Sequence, residues 1–185
     1  MIESFRQFSI AARTARVRVV CYAGHGVQVK RRNYLLPVDA EIRGEDEMPA
    51  KSADLTELLE RLGGSSSGIN IVILDACRNN PFSGAMIVGP DGRSLTFRGA
   101  TPGGLALVDA PLGSMVAFST APGGVALDNP GDENSLHTRH LLSALQTPGL
   151  PVELLFKQVR LAVARDTARV QVPWESSSLT GDFCF

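Results

Sequence analysis

The sequence predicts an α/β fold, three layers built around a mostly parallel sheet. Three stretches carry that expectation: "RVRVVCYA" (16–23), "INIVILDA" (69–76) and "GSMVAFST" (113–120). Each turns into a nearly unbroken apolar run, which suits a strand covered on both faces rather than one that alternates toward water. Segments of helical spacing lie between and after them, and strands alternating with helices build layered parallel sheets. Across 185 residues there is no internal repeat and no composition break, so 1–185 reads as a single domain.

Taken in order, residues 3–15 place Phe5, Phe8 and Ala12 at helical spacing ahead of the first strand. Residues 52–64, "SADLTELLERLGG", open on a Ser/Asp start and carry Leu55, Leu58, Leu59 and Leu62 on one face. They stop at glycine, which completes the signature of a short amphipathic helix. Residues 81–111 hold Gly and Pro throughout with no sustained period, a flexible connection between two halves of the domain. A connection this long within a compact domain is more often functional or mobile. Residues 135–146 and 151–165 are amphipathic helices, and Pro151 sits in a first turn, where its missing N–H costs nothing. The tail "SSLTGDFCF" (177–185) reads as a closing strand.

Composition narrows the function classes. Hydrophobic residues at 44% and charged residues at 20% describe a globular chain rather than a disordered one. A net charge of -1 with scattered Lys and Arg leaves no basic stripe for nucleic acid or an anionic membrane. No apolar run approaches the ~18 residues needed to span a bilayer. The N-terminus has an early acid and lacks the apolar core of a signal peptide. Three cysteines, an odd number at no metal spacing, fit reduced thiols in a cytoplasmic protein. There is no Walker loop, HExxH or CxxC, and no metal site is expected.

In parallel sheets ligands bind just beyond the carboxyl ends of the strands. The first apolar run leads into Gly24-His25-Gly26, the second delivers Asp75-Ala76-Cys77, and the third delivers Ser119-Thr120. A parallel sheet therefore brings His25, Cys77 and Ser119 to one rim. Cysteine beside histidine makes a nucleophile and its base, since imidazole raises the thiolate fraction or takes the proton during attack. Glycines around the histidine would let a substrate carbonyl approach, with the N–H groups of Gly26 and Cys77 donating to a developing oxyanion. Plainer readings exist for each motif alone. Gly-His-Gly is a turn, and a cysteine ending a buried strand is an inert small hydrophobe, the class to which Cys21 and Cys184 are assigned. His137 and His140, three apart with no third ligand, read as helix surface or partial core.

At these residues the sequence resembles the caspase-like cysteine peptidases, and within them the bacterial metacaspase-like (orthocaspase) branch. "CYAGHGVQVKRRNYLLPVDA" (21–40) resembles the histidine motif and "IVILDACRNNPF" (71–82) the cysteine motif. "FSTAPGGVALD" (118–128), "NSLHTRHLLSAL" (134–145) and "QVPWESSSLTGDF" (171–183) extend the likeness toward the C-terminus. The caspase signature Gln-Ala-Cys-x-Gly is replaced by Asp75-Ala76-Cys77-Arg78-Asn79, which points away from cleavage after aspartate.

The resemblance implies a three-layer α/β/α caspase-like fold with the last strand antiparallel at the edge. It implies N-terminal truncation too: the family's opening strand, helix and second strand are missing, leaving four strands with 16–23 at an exposed edge. It implies a Cys77/His25 dyad that cuts peptide bonds through a thioacyl intermediate. Asp75 and Asp128 match the acids that line a pocket for Arg or Lys, a pairing that suits two carboxylates. The plainer reading of Asp75 is a hydrogen bond holding the cysteine loop, and that of Asp128 is a solvated loop acid. Ser119 would lend backbone to an extended substrate strand, and Arg93 and Arg98 are candidates for self-cleavage within 81–111. Calcium activates some relatives, but the acidic run "EIRGEDE" (41–47) reads as a solvated loop. Expected partners are a protein or peptide substrate, together with self-association or a complementing N-terminal segment at the exposed sheet edge. The competing functions are an inactive, truncated interaction module and an acyl-transfer hydrolase of another kind.

Overall fold

The computed structural model describes residues 1–63, 68–77, 87–88, 94–95, 105–122, 124, 126–127 and 133–185, with backbone alone at 77, 87–88 and 94–95. Helix α1 (Ile2–Ala11) leads into β1 (Val17–Val29), which turns into β2 (Arg32–Leu35). A 3-10 turn (Glu45–Glu47) and the short α2 (Met48–Lys51) precede β3 (Ala53–Asp54) and α3 (Leu55–Gly63). The chain continues through β4 (Ile69–Cys77), a small antiparallel pair of β5 (Ile87–Val88) and β6 (Ser94–Leu95), and β7 (Ser114–Phe118). Helices α4 (Leu136–Ala144) and α5 (Val152–Asp166) and strand β8 (Trp174–Ser177) complete it.

The main sheet has six strands in the order β3-β2-β1-β4-β7-β8. β1, β4 and β7 run parallel, and β8 closes the edge antiparallel to β7. On one face Val20, Val72, Leu74, Val116 and Phe118 pack against Leu55, Leu58, Leu59 and Leu62 of α3, with Phe5 and Phe8 of α1 alongside. On the other, Ile71, Ile73, Met115 and Ala117 meet Leu141 of α4 and Leu155, Phe156, Val159 and Val163 of α5. Burying aliphatic rows on both faces of the sheet is what fixes the three layers.

Several expectations need correction. The first strand is not covered on both faces: Val17 and Val19 remain 38% and 40% exposed, because α4 and α5 pack on β4 and β7 and no β1 residue enters their cluster. Cys21 shares that open face and is an exposed thiol, as is Cys184, so neither is a buried hydrophobe. On the covered face Arg18 is buried, yet its guanidinium donates to the Ala12 and Arg13 carbonyls and to Asn70 Oδ1, which makes burial of the charge tolerable.

The sheet has six strands rather than four, since β1 continues past the glycines and recruits the β2 hairpin and β3. The closing strand spans Trp174–Ser177 and not 177–185. Beyond it the chain turns back, and Leu179 and Phe183 seal the second core cluster. Most of 81–111 lies outside the described residues; at its end Leu105 is buried in the first cluster.

Candidate active site

The register of β1 on β4 sets the centre of the site. Their parallel pairing runs from Val17↔Ile69 to His25↔Cys77, so the two residues are its last pair. From Gly26 onward β1 pairs with β2 instead, Gly26 facing Leu35 and Val29 facing Arg32. Gly24-His25-Gly26 is therefore not a strand end but the place where β1 exchanges a parallel neighbour for an antiparallel one. The Leu36 N–H donates to the His25 carbonyl at 3.0 Å. By the alternation of antiparallel pairs, Gly26 then falls at a non-hydrogen-bonded position and its N–H points away from β2, toward the end of β4.

The two glycines have steric causes supplied by the protein itself. A Cβ on Gly24 (φ +156°) would meet the Tyr22 hydroxyl at 2.7 Å. One on Gly26 would press on the Leu105 methyls at 3.0 and 3.2 Å and on Ala76 Cβ at 3.4 Å. The space at each glycine is thus filled by neighbouring side chains, where the sequence suggested room for a substrate carbonyl. The Tyr22 hydroxyl lies 2.8 Å from both the His25 and the Leu36 carbonyl oxygens, and its single proton ties β1 to the chain leaving β2. Burial pushes the Tyr22 phenol up to about 12, so it remains a donor. The His25 side chain itself is exposed.

Asp75 precedes Cys77 by two residues, and its side chain is only 8% exposed. The Ser135 hydroxyl donates to its Oδ2, and Thr138 Oγ1 donates to the same oxygen at 2.5 Å. Ser135 is also the N-cap of α4, accepting from the Thr138 N–H at 3.0 Å. The ring of His137 is fully buried with its Nδ1 3.7 Å from Oδ2, beyond hydrogen-bond reach, and neither ring nitrogen has a partner among the described residues. Burial would raise the Asp75 carboxyl, but His137, Ser135 and Thr138 around it outweigh that and hold it at about 2. Among the described residues no lysine or arginine pairs with this carboxylate. His140, by contrast, pairs with Asp166 at 2.8 Å near the surface.

Ser119 is buried at the end of β7, beside β4. Its N–H donates to the Leu74 carbonyl at 2.9 Å, its hydroxyl to the Ala76 carbonyl at 3.3 Å, and its own carbonyl accepts from Gln171 Nε2 at 2.8 Å. The Ser119 backbone, expected to serve a substrate strand, thus has both its N–H and its carbonyl engaged within the domain. Gln171 Oε1 also takes the Leu127 N–H at 2.9 Å, which anchors the chain just before Asp128. Asp128, Arg93, Arg98 and the Cys77 side chain lie outside the described residues.

Sequence reasoning missed Tyr22, Ser135, Thr138 and Gln171. Only Ser135 carried a signal, as the Ser ahead of a helical run. Among the described residues no three His, Cys, Asp or Glu side chains gather as a metal site, and no helix is long and apolar enough to cross a membrane.

Comparison with known proteins agrees with this architecture. The caspase domain family model matches residues 1–184. The crystal structure of caspase-1 from Spodoptera frugiperda superposes with a TM-score of 0.59 at 16% identity, over 98% of this chain and 69% of that one. No curated protein matches the chain in sequence. A six-stranded sheet with helices on both faces, histidine and cysteine forming the last pair of the parallel β1–β4 register, and a family match over almost the whole length lead to one assignment: the chain belongs to the caspase domain family of cysteine peptidases.

Proposed function

We propose that the chain is a cysteine endopeptidase of metacaspase type that hydrolyses peptide bonds after Arg or Lys. The observation that carries the specificity is Asp75: a buried carboxylate two residues before the cysteine that pairs with no lysine or arginine among the described residues, its one imidazole neighbour, His137, standing 3.7 Å away. A buried charge left without a counter-ion is costly, and a basic substrate side chain supplies one. Asp128, by its match to the family's second acid in sequence, would add a second carboxylate to that pocket. Arg93 and Arg98 are self-cleavage sites with the same basic residue at P1.

In the reaction His25 takes the Cys77 thiol proton as sulfur bonds to the scissile carbonyl carbon. The carbonyl oxygen gains the charge and accepts from the N–H groups of Gly26 and Cys77. Collapse breaks the C–N bond, and the departing amine leaves with the proton from His25. Water, losing a proton to His25, then adds to the thioester. The carboxylic acid product departs and the thiol recovers its proton.

Labelling tests the assignment. A peptidyl acyloxymethyl ketone ending in Arg should alkylate Cys77, read by peptide mass spectrometry, and one ending in Asp should not. Modification of the exposed Cys21 or Cys184 instead, or equal labelling by both probes, would contradict it.

A further inference from the structure

The first turn of α4 does more than start a helix. Ser135 and Thr138, three residues apart at its N-terminus, both turn their hydroxyls onto Asp75 Oδ2, from 60 and 63 residues away in sequence. Neither contact uses Oδ1. The Ser135 oxygen at the same time accepts the Thr138 N–H, so cap and carboxylate are one connected unit. Partial positive charge at a helix N-terminus favours an anion placed there. His137, fully buried on the same turn, fills the space beside that oxygen.

We propose that Ser135 and Thr138 are positioning residues for P1 selection: they fix Asp75 by one oxygen, keep it charged, and aim the other at the basic side chain of the substrate. The proposal rests on the peptidase reading above. On this account α4 contributes to specificity without touching substrate. A carboxylate held by one oxygen keeps a fixed direction, which matters more for the planar fork of Arg than for the point charge of Lys.

The test uses full-length protein carrying Thr138→Val, Thr138→Ser or Ser135→Ala. Turnover of matched peptides ending in Arg, Lys and Ala is measured beside a carbon-13 NMR titration of the Asp75 carboxyl. The expected result for Thr138→Val is a KM for the Arg peptide raised about tenfold with kcat little changed, the loss of one charge-assisted hydrogen bond. The Asp75 midpoint should rise, the Lys peptide should lose less, and Thr138→Ser should restore both readouts. An unmoved midpoint, or an equal loss for all three peptides, would overturn the proposal and leave the hydroxyls as a helix cap. A folded wild type silent on every peptide would instead strike the peptidase reading, and P1 selection with it, whatever the titration shows.

Discussion

At the scale of single residues, Asp75 and Ser119 are held by contacts distant in sequence, and His25 by a tyrosine three residues before it. Tyr22 holds the His25 backbone, Gln171 holds Ser119, and Ser135 with Thr138 hold Asp75. The Asp75 interaction makes a prediction about acid stability. Its carboxyl falls from an ordinary 3.8 to about 2 in the folded chain, which corresponds to about 2 kcal/mol. Because the folded value is the lower one, the unfolded chain binds the proton first as pH drops. The contribution is therefore complete above about pH 4 and is lost as pH falls toward 2. Urea unfolding of wild type and Asp75→Asn should differ by that amount at pH 5, and the gap should shrink to a small fraction of it as pH falls to 2. A gap constant with pH would show that the carboxylate is not preferentially ionised in the folded state.

At the scale of elements, β4, α3 and α5 could be read directly, because a wholly apolar strand and leucines at helical spacing are periodic signals. The β1–β2 hairpin could not. Its two-residue turn is Lys30-Arg31, both with positive φ (50° and 66°), where Asn-Gly is the residue pair that usually announces such a turn. Without that signal β1 seemed to stop at its glycines, and β2 and β3 were lost with it. The site shows the same division. His25, Cys77 and Asp75 stand in recognisable motifs, but Thr138 and Gln171, which orient Asp75 and Ser119, lie across the fold and leave no local pattern. The strained turn gives a second prediction: Lys30→Asn with Arg31→Gly should stabilise the domain by about 1 kcal/mol in urea, since left-handed backbone costs these side chains roughly that much. No gain would mean that the surroundings, rather than local preference, set the turn.

At the scale of the whole molecule, the described helices cover one face of the sheet with α1 and α3, and the other over β4 and β7 with α4 and α5. The exposed row of Val17, Val19 and Cys21 on β1 marks where this domain has apolar surface to spare. Whether the domain cuts after basic residues is decided most directly by fluorophore release from three matched peptides ending in Arg, Lys or Asp, with Cys77→Ala as control and circular dichroism on the same samples. Release after Arg and Lys that disappears in Cys77→Ala while the fold persists is the expected result. Release after Asp alone, or release that survives the loss of the thiol, would contradict it.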